Sequence, residues 1–277
     1  MKKPFFLLIL CYLFITYSCK KIQVDNETTS CTDYAQVSQE FMQIFLHVNG
    51  HASAEKGLYK LGNPGNLPFS VCPDDSLTGD TVNNAQGVFT DTLKLPVMWL
   101  QYHNCTGTDG KTRNGTIKVS FTKKYTVTGC VATVSLINYS VNGLSCTGTL
   151  SIIRNAANTF TYNISNGTLG NGTSWNIKYN CSAIVTWFDN GTPGITSDDY
   201  IQALGNAGGT NRENRNYDVT INDPVKKRAD CAWISQGKVS LTPAGLHTRT
   251  VDFGNGNCDD IASFVLDSQT FSIHMSK

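Results

Sequence analysis

Gly115-Thr116-Ile117-Lys118-Val119-Ser120-Phe121 alternates polar with apolar residues. A period of two puts Ile117, Val119 and Phe121 on one face of an extended strand and the polar side chains on the other. The same period returns at Phe160, Tyr162 and Ile164, at Trp175, Ile177 and Tyr179, and at Tyr217, Val219 and Ile221. Val239 and Leu241, then Phe271, Ile273 and Met275, continue it. Asn114-Gly115, Asn142-Gly143, Asn166-Gly167, Asn171-Gly172 and Asn190-Gly191 punctuate these runs and supply the positive φ angles that tight hairpins need. The expectation is an all-β body over 95–277, an antiparallel hairpin series forming a sandwich or stacked sheets. The Gly- and Asn-rich stretch 204–216 reads as a loop within that body, because strands of one character flank it.

Upstream the period changes. From Thr32, apolar residues recur at Val37, Phe41, Ile44 or Phe45, and Val48, the spacing of one helical face, and Asn49-Gly50 is expected to stop the helix. Its apolar stripe is expected to pack on a sheet. The rest of 31–94, with Pro64, Pro68 and Pro73, reads as an irregular connection held by a Cys31–Cys72 bridge.

The first eighteen residues carry Lys2 and Lys3 ahead of an uncharged apolar run from Pro4 to Ile15, the layout of an export signal and too short to span a bilayer comfortably. Thr16-Tyr17-Ser18-Cys19 resembles the lipobox of bacterial lipoproteins. That resemblance implies that 1–18 are removed and that Cys19 is acylated, with 19–30 as a polar spacer. Cleavage nearby that leaves Cys19 for a disulfide is the lesser alternative. Loss of Lys2 and Lys3 takes the formal charge from +1 to −1, so no basic field favours nucleic acid.

Ten cysteines become eight once Cys11 leaves and Cys19 is acylated. An even number in an exported chain implies disulfides, and no C-x-x-C pair points to zinc. One bridge follows from hairpin geometry. A turn near Ala244-Gly245 pairs residues whose numbers sum to about 489, setting Val239 against Thr250, Leu241 against Thr248 and Cys231 against Cys258, within bridging range.

Arg249-Thr250-Val251-Asp252-Phe253-Gly254-Asn255-Gly256-Asn257-Cys258-Asp259-Asp260, with Trp233-Ile234 and Gly237 ahead of it, resembles a segment of a group of secreted Bacteroidetes lipoproteins of unassigned function. The strand after Asn114-Gly115 looks like one of theirs. The resemblance implies a β-rich envelope protein and carries over no catalytic residue.

Chemistry is sparsely signalled. Asn255, Asn257 and Asp259 alternate oxygen side chains that suit calcium, but Asn and Asp are also ordinary turn residues, and that reading is preferred. His47 and His51 are spaced as a ligand pair on a helix, with Asn49-Gly50 expected to separate them. No serine-hydrolase elbow occurs, no cofactor is implied, and Asp74-Asp75 and Asp198-Asp199 do not make a glycosidase pair. Trp99, Trp175, Trp187 and Trp233 are expected mainly in the core, with Trp187-Phe188 pointing to opposite faces. The reading is a lipid-anchored protein of the outer membrane that binds a glycan or a protein. The alternatives are a glycan-active hydrolase on a β-sandwich and a structural component of an envelope complex.

Overall fold

The computed structural model describes residues 25–53, 97–107, 109–190, 199–228 and 230–275, with the backbone of 74–78. Among them are one helix, α1 (Thr29–Ser53), and thirteen strands. These are β1 (Asp74–Thr78), β2 (Val97–Thr106), β3 (Thr112–Phe121), β4 (Val131–Val141), β5 (Leu144–Arg154), β6 (Thr159–Gly170), β7 (Asn176–Phe188), β8 (Tyr200–Thr210), β9 (Asn216–Arg228), β10 (Ile234–Pro243), β11 (Arg249–Asn255), β12 (Ile261–Leu266) and β13 (Gln269–His274). They pair in chain order, each antiparallel to the next, in one sheet. The fold is therefore an all-β hairpin series with one N-terminal helix. Its layers are opposite stretches of one sheet that face each other across α1.

The roll has a local cause. Register shifts recur at Tyr102/Cys105, Asn114/Thr116, Ser135/Ser140, Thr147/Thr149, Ile164/Gly167 and Ala203/Asn206. Each bulge bends its strand and sharpens the right-handed twist. Two of the dipeptides expected as hairpin turns lie at these bulges: Asn114-Gly115 sits inside β3 and Asn166-Gly167 inside β6, whereas Asn142-Gly143 and Asn171-Gly172 do make turns. At Gly115 the reason is steric as well as conformational. Its φ is +91° and a Cβ there would stand 2.2 Å from the Asn138 carbonyl oxygen.

Helix α1 does not end at Asn49-Gly50 but runs to Ser53, and residues 33–49 are buried on every side. Tertiary packing overrides the local stop signal: the Asn49 side chain accepts a 3.0 Å hydrogen bond from Tyr125. The expected apolar face is present, with Tyr34, Phe41 and Phe45 against Tyr162, Tyr179, Val185 and Ile201 around a cavity of only about 20 Å³. Phe41 stacks on Tyr179 at 5.5 Å, and the Tyr162 hydroxyl donates to its carbonyl at 2.7 Å. The polar stripe Gln36, Gln39, Glu40, Gln43 and His47 is buried too, because the sheet curls around to meet it.

Most of the stretch 204–216 is strand, and only 211–215 form a turn, between β8 and β9. Residues 200–210 form β8, whose Lys178–Thr210 to Phe188–Tyr200 ladder with β7 has no shift. Glycine allows this, since a Cβ on Gly209 would lie 1.8 Å from the Lys178 carbonyl oxygen.

Cys231 and Cys258 are joined, with Cα atoms 5.6 Å apart. The register that leads to them differs from the expected one by a residue, with Val239 opposite Val251 and Leu241 opposite Arg249. A bulge between Gln236 and Lys238 then shifts the ladder by one more, and Gly237 there takes φ +110°. Closing this loop is worth about 2–4 kcal/mol. The other thiols depart from the expected framework. Cys31, Cys130, Cys146 and Cys181 are free, so a Cys31–Cys72 bridge does not form, while Cys105 is disulfide-bonded. Burial raises the Cys31 thiol to about 12 and that of Cys181 to about 11, leaving both protonated and unreactive at neutral pH.

Candidate functional site

The interior holds the densest chemistry. Glu40 projects from α1 onto Lys111, which precedes β3, and Arg113 forks onto both carboxylate oxygens of Asp109. Burial alone would raise the Asp109 carboxyl, but hydrogen bonds and charge from Arg113 hold it at about 2. His47 meets the Tyr102 hydroxyl at 2.6 Å, and burial keeps its ring well below the usual histidine range, hence neutral. His47 and His51 do lie on one continuous helix, contrary to the break expected at Asn49-Gly50. Among the described residues no group of three or more His, Cys, Asp and Glu is placed to hold a metal. Every member of this cluster is buried, so it ties helix to sheet rather than meeting a ligand.

Lys227 belongs to the same cluster, donating to the Cys231 carbonyl. Burial first, then the Lys111 charge, bring its amine down to about 7, against the opposing pull of Asp109 and Glu40. Below pH 7 both folded and unfolded chains hold the proton, and the folded state carries the full cost of a buried charge. Between about 7 and 10.5 only the unfolded chain keeps it, so stability rises with pH through that window. In urea unfolding, Lys227→Met is expected to flatten that rise and to gain on the order of a few kcal/mol at pH 6. A wild-type slope retained in the variant would assign the effect elsewhere.

The accessible feature is on the outside of the roll. Along β8, Gly208 projects no side chain between its ladder partners Asn180 on β7 and Asp218 on β9, which leaves a gap in the outer face. The result is an open groove of about 700 Å³ lined by Lys178, Asn180, Ser182, Asn206, Thr210 and Asp218, among others. Several lining groups are oriented by neighbours. Ser182 donates to Asn163 at 2.8 Å, the Asn180 side chain accepts from the Asn166 amide at 3.0 Å, and Thr210 donates to Asn216 at 2.9 Å. Toward the other end of the same two strands, Ile184 and Leu204 face each other across the ladder, each 46 % exposed. Phe188 and Tyr200 then stack at 4.7 Å, with the Lys226 ammonium 3.9 Å from the Tyr200 ring centre. Amides, hydroxyls and one carboxylate beside an apolar and aromatic strip form a surface for an extended polar ligand with apolar faces.

Trp187 and Phe188 do point to opposite faces: Trp187 packs on the core, as Trp175 and Trp233 do, and Phe188 joins the outer stack. Trp99 lies under the Lys118 ammonium at 5.0 Å. Asn255 and Asp259 line a separate shallow depression with Lys238 and Asp252. Their region is held by turn bonds, with Asp259 accepting from the Ile261 amide at 3.1 Å and Asp252 from that of Gly254 at 2.9 Å. A lysine paired with Asp252 at 2.9 Å makes it a poor cation site. Cys19 and Asp198 lie outside the described residues, as do the side chains of Asp74 and Asp75. The groove was not singled out in the sequence. Its signal was the run of small residues in 205–209, which reads as a loop when pairing is unknown.

Fold and groove together define a class: a sheet rolled around a buried helix, with a ligand-sized polar groove on its outer face. No family model, no curated protein and no solved structure matches the chain.

Proposed function

We propose that this chain is an exported lipoprotein, held at the outer membrane through Cys19, whose body binds a glycan along the groove over β7 and β8. The groove itself carries the reading: its exposed Asn180, Asn206 and Asp218 suit sugar hydroxyls, and the Phe188–Tyr200 stack offers an apolar surface for a ring face. Glycosidic cleavage needs two carboxyl groups flanking one bond, and the groove lining contributes Asp218 alone, which supports binding over hydrolysis. On a glycan array, Asn206→Ala with Asp218→Ala is expected to weaken the best wild-type signal at least tenfold while the unfolding midpoint stays put. Signals that persist in this variant would place binding elsewhere. For the anchor, Cys19→Ala is expected to abolish labelling by a fatty-acid analogue and to release the body from membranes; undiminished labelling would refute acylation there.

A further inference from the structure

Resting on the acyl anchor at Cys19, we infer that the end of the body formed by the β8–β9 and β10–β11 turns faces and contacts the lipid bilayer. The chain ahead of α1 is fastened to that end. Arg249, fully buried, donates to Asp25 Oδ1 at 2.6 Å and to the Glu27 carbonyl at 2.8 Å, and the His247 amide donates to Asp25 Oδ2 at 3.2 Å. Glu27 in turn accepts from the Ser30 amide at 2.7 Å and from Asn211 at 3.2 Å. Thr29 donates to Glu213 at 2.9 Å.

Only residues 20–24 then separate the acylated cysteine from a point fixed on the body. Six steps of chain reach about 20 Å when fully extended. Strands such as β7 and β9, at 13 residues each, span about 40 Å, so the body cannot invert and set its opposite end on the membrane. Lys20 and Lys21 within the tether favour anionic headgroups. The start of β7, the end of β8 and the start of β9 lie at the fastened end, so the Lys178–Thr210 part of the groove is the part nearest the bilayer. A ligand in the groove is accordingly gripped close to the surface that holds the protein.

The test uses the full-length acylated protein in vesicles of phosphatidylethanolamine and phosphatidylglycerol carrying a headgroup-linked energy acceptor. A donor dye is placed by Ala244→Cys in the β10–β11 turn or by Ala156→Cys in the β5–β6 turn at the other end. Among the described residues the free thiols are buried or held protonated and compete little for the dye. Energy transfer is expected to be several-fold stronger from position 244 than from 156. A 30-residue Gly-Ser insertion between Ile22 and Gln23 should bring the two close to equal. Equal transfer in the native chain, or stronger transfer from 156, would overturn the orientation while leaving the anchor intact. A protein without the acyl mass and without vesicle binding would remove both.

Discussion

Lys111→Met in an otherwise native chain is expected to lower stability by about 3–5 kcal/mol, among the largest losses available to a single polar substitution here. Lys111 is 1 % exposed and its partner Glu40 is 6 % exposed. Removing the ammonium leaves a carboxylate in the interior with no counter-charge in contact, and Asp109 cannot release Arg113 without becoming an unpaired charge itself. The expected consequence is partial unfolding around α1. A double variant, Glu40→Gln with Lys111→Met, removes both charges and is expected to recover most of the loss, because a buried pair contributes far less net than either half costs alone. Urea denaturation of the wild type and the two variants decides it. A double variant as unstable as Lys111→Met would mean that packing rather than charge dominates at this contact.

Phe41→Ala is expected to cost about 3–5 kcal/mol, the range for truncating a buried aromatic. Phe41 stands at the middle of α1, fully buried, stacked on Tyr179 and lining the apolar cavity with Tyr162. Its ring also presses on the sheet where β6 bulges: a Cβ on Gly167 would lie 2.9 Å from Phe41 Cζ. A small shift of the helix to fill the void left by alanine is resisted by the Glu40–Lys111 and Asp33–Arg212 ion pairs, which hold α1 along its flank. Phe41→Leu should recover roughly half of the loss. A cost below about 1 kcal/mol for Phe41→Ala would show that the sheet collapses onto the helix more readily than such a roll allows.

Strand identity was legible because it depends on neighbours two residues apart, and the inward side chains Phe160, Tyr162, Ile177, Tyr179, Val219 and Leu241 are all buried as the alternation requires. The Cys231–Cys258 bridge was legible because a hairpin constrains residues close in sequence, even though a slip at the turn and the Gln236/Lys238 bulge moved the register in between. The bulges themselves were not. Asn-Gly has the same φ preference in a hairpin turn and in the middle of β3, and only strand pairing tells them apart.

The sequence by itself determined an antiparallel β body, one helix ahead of it and the hairpin that carries the disulfide, since each rests on local periodicity and turn chemistry. Only the tertiary structure decided that the helix is swallowed whole. Gln36, Glu40 and His47 on a helix signal a solvated face until the rolled sheet and its turns bring Arg212, Lys111 and Tyr102 to them from more than fifty residues away. It also decided the groove, because Gly208 leaves a gap in the outer face only when Asn180 on β7 and Asp218 on β9 stand on either side of it. Both outcomes depend on curvature accumulated over many strands, and no window of sequence contains that sum.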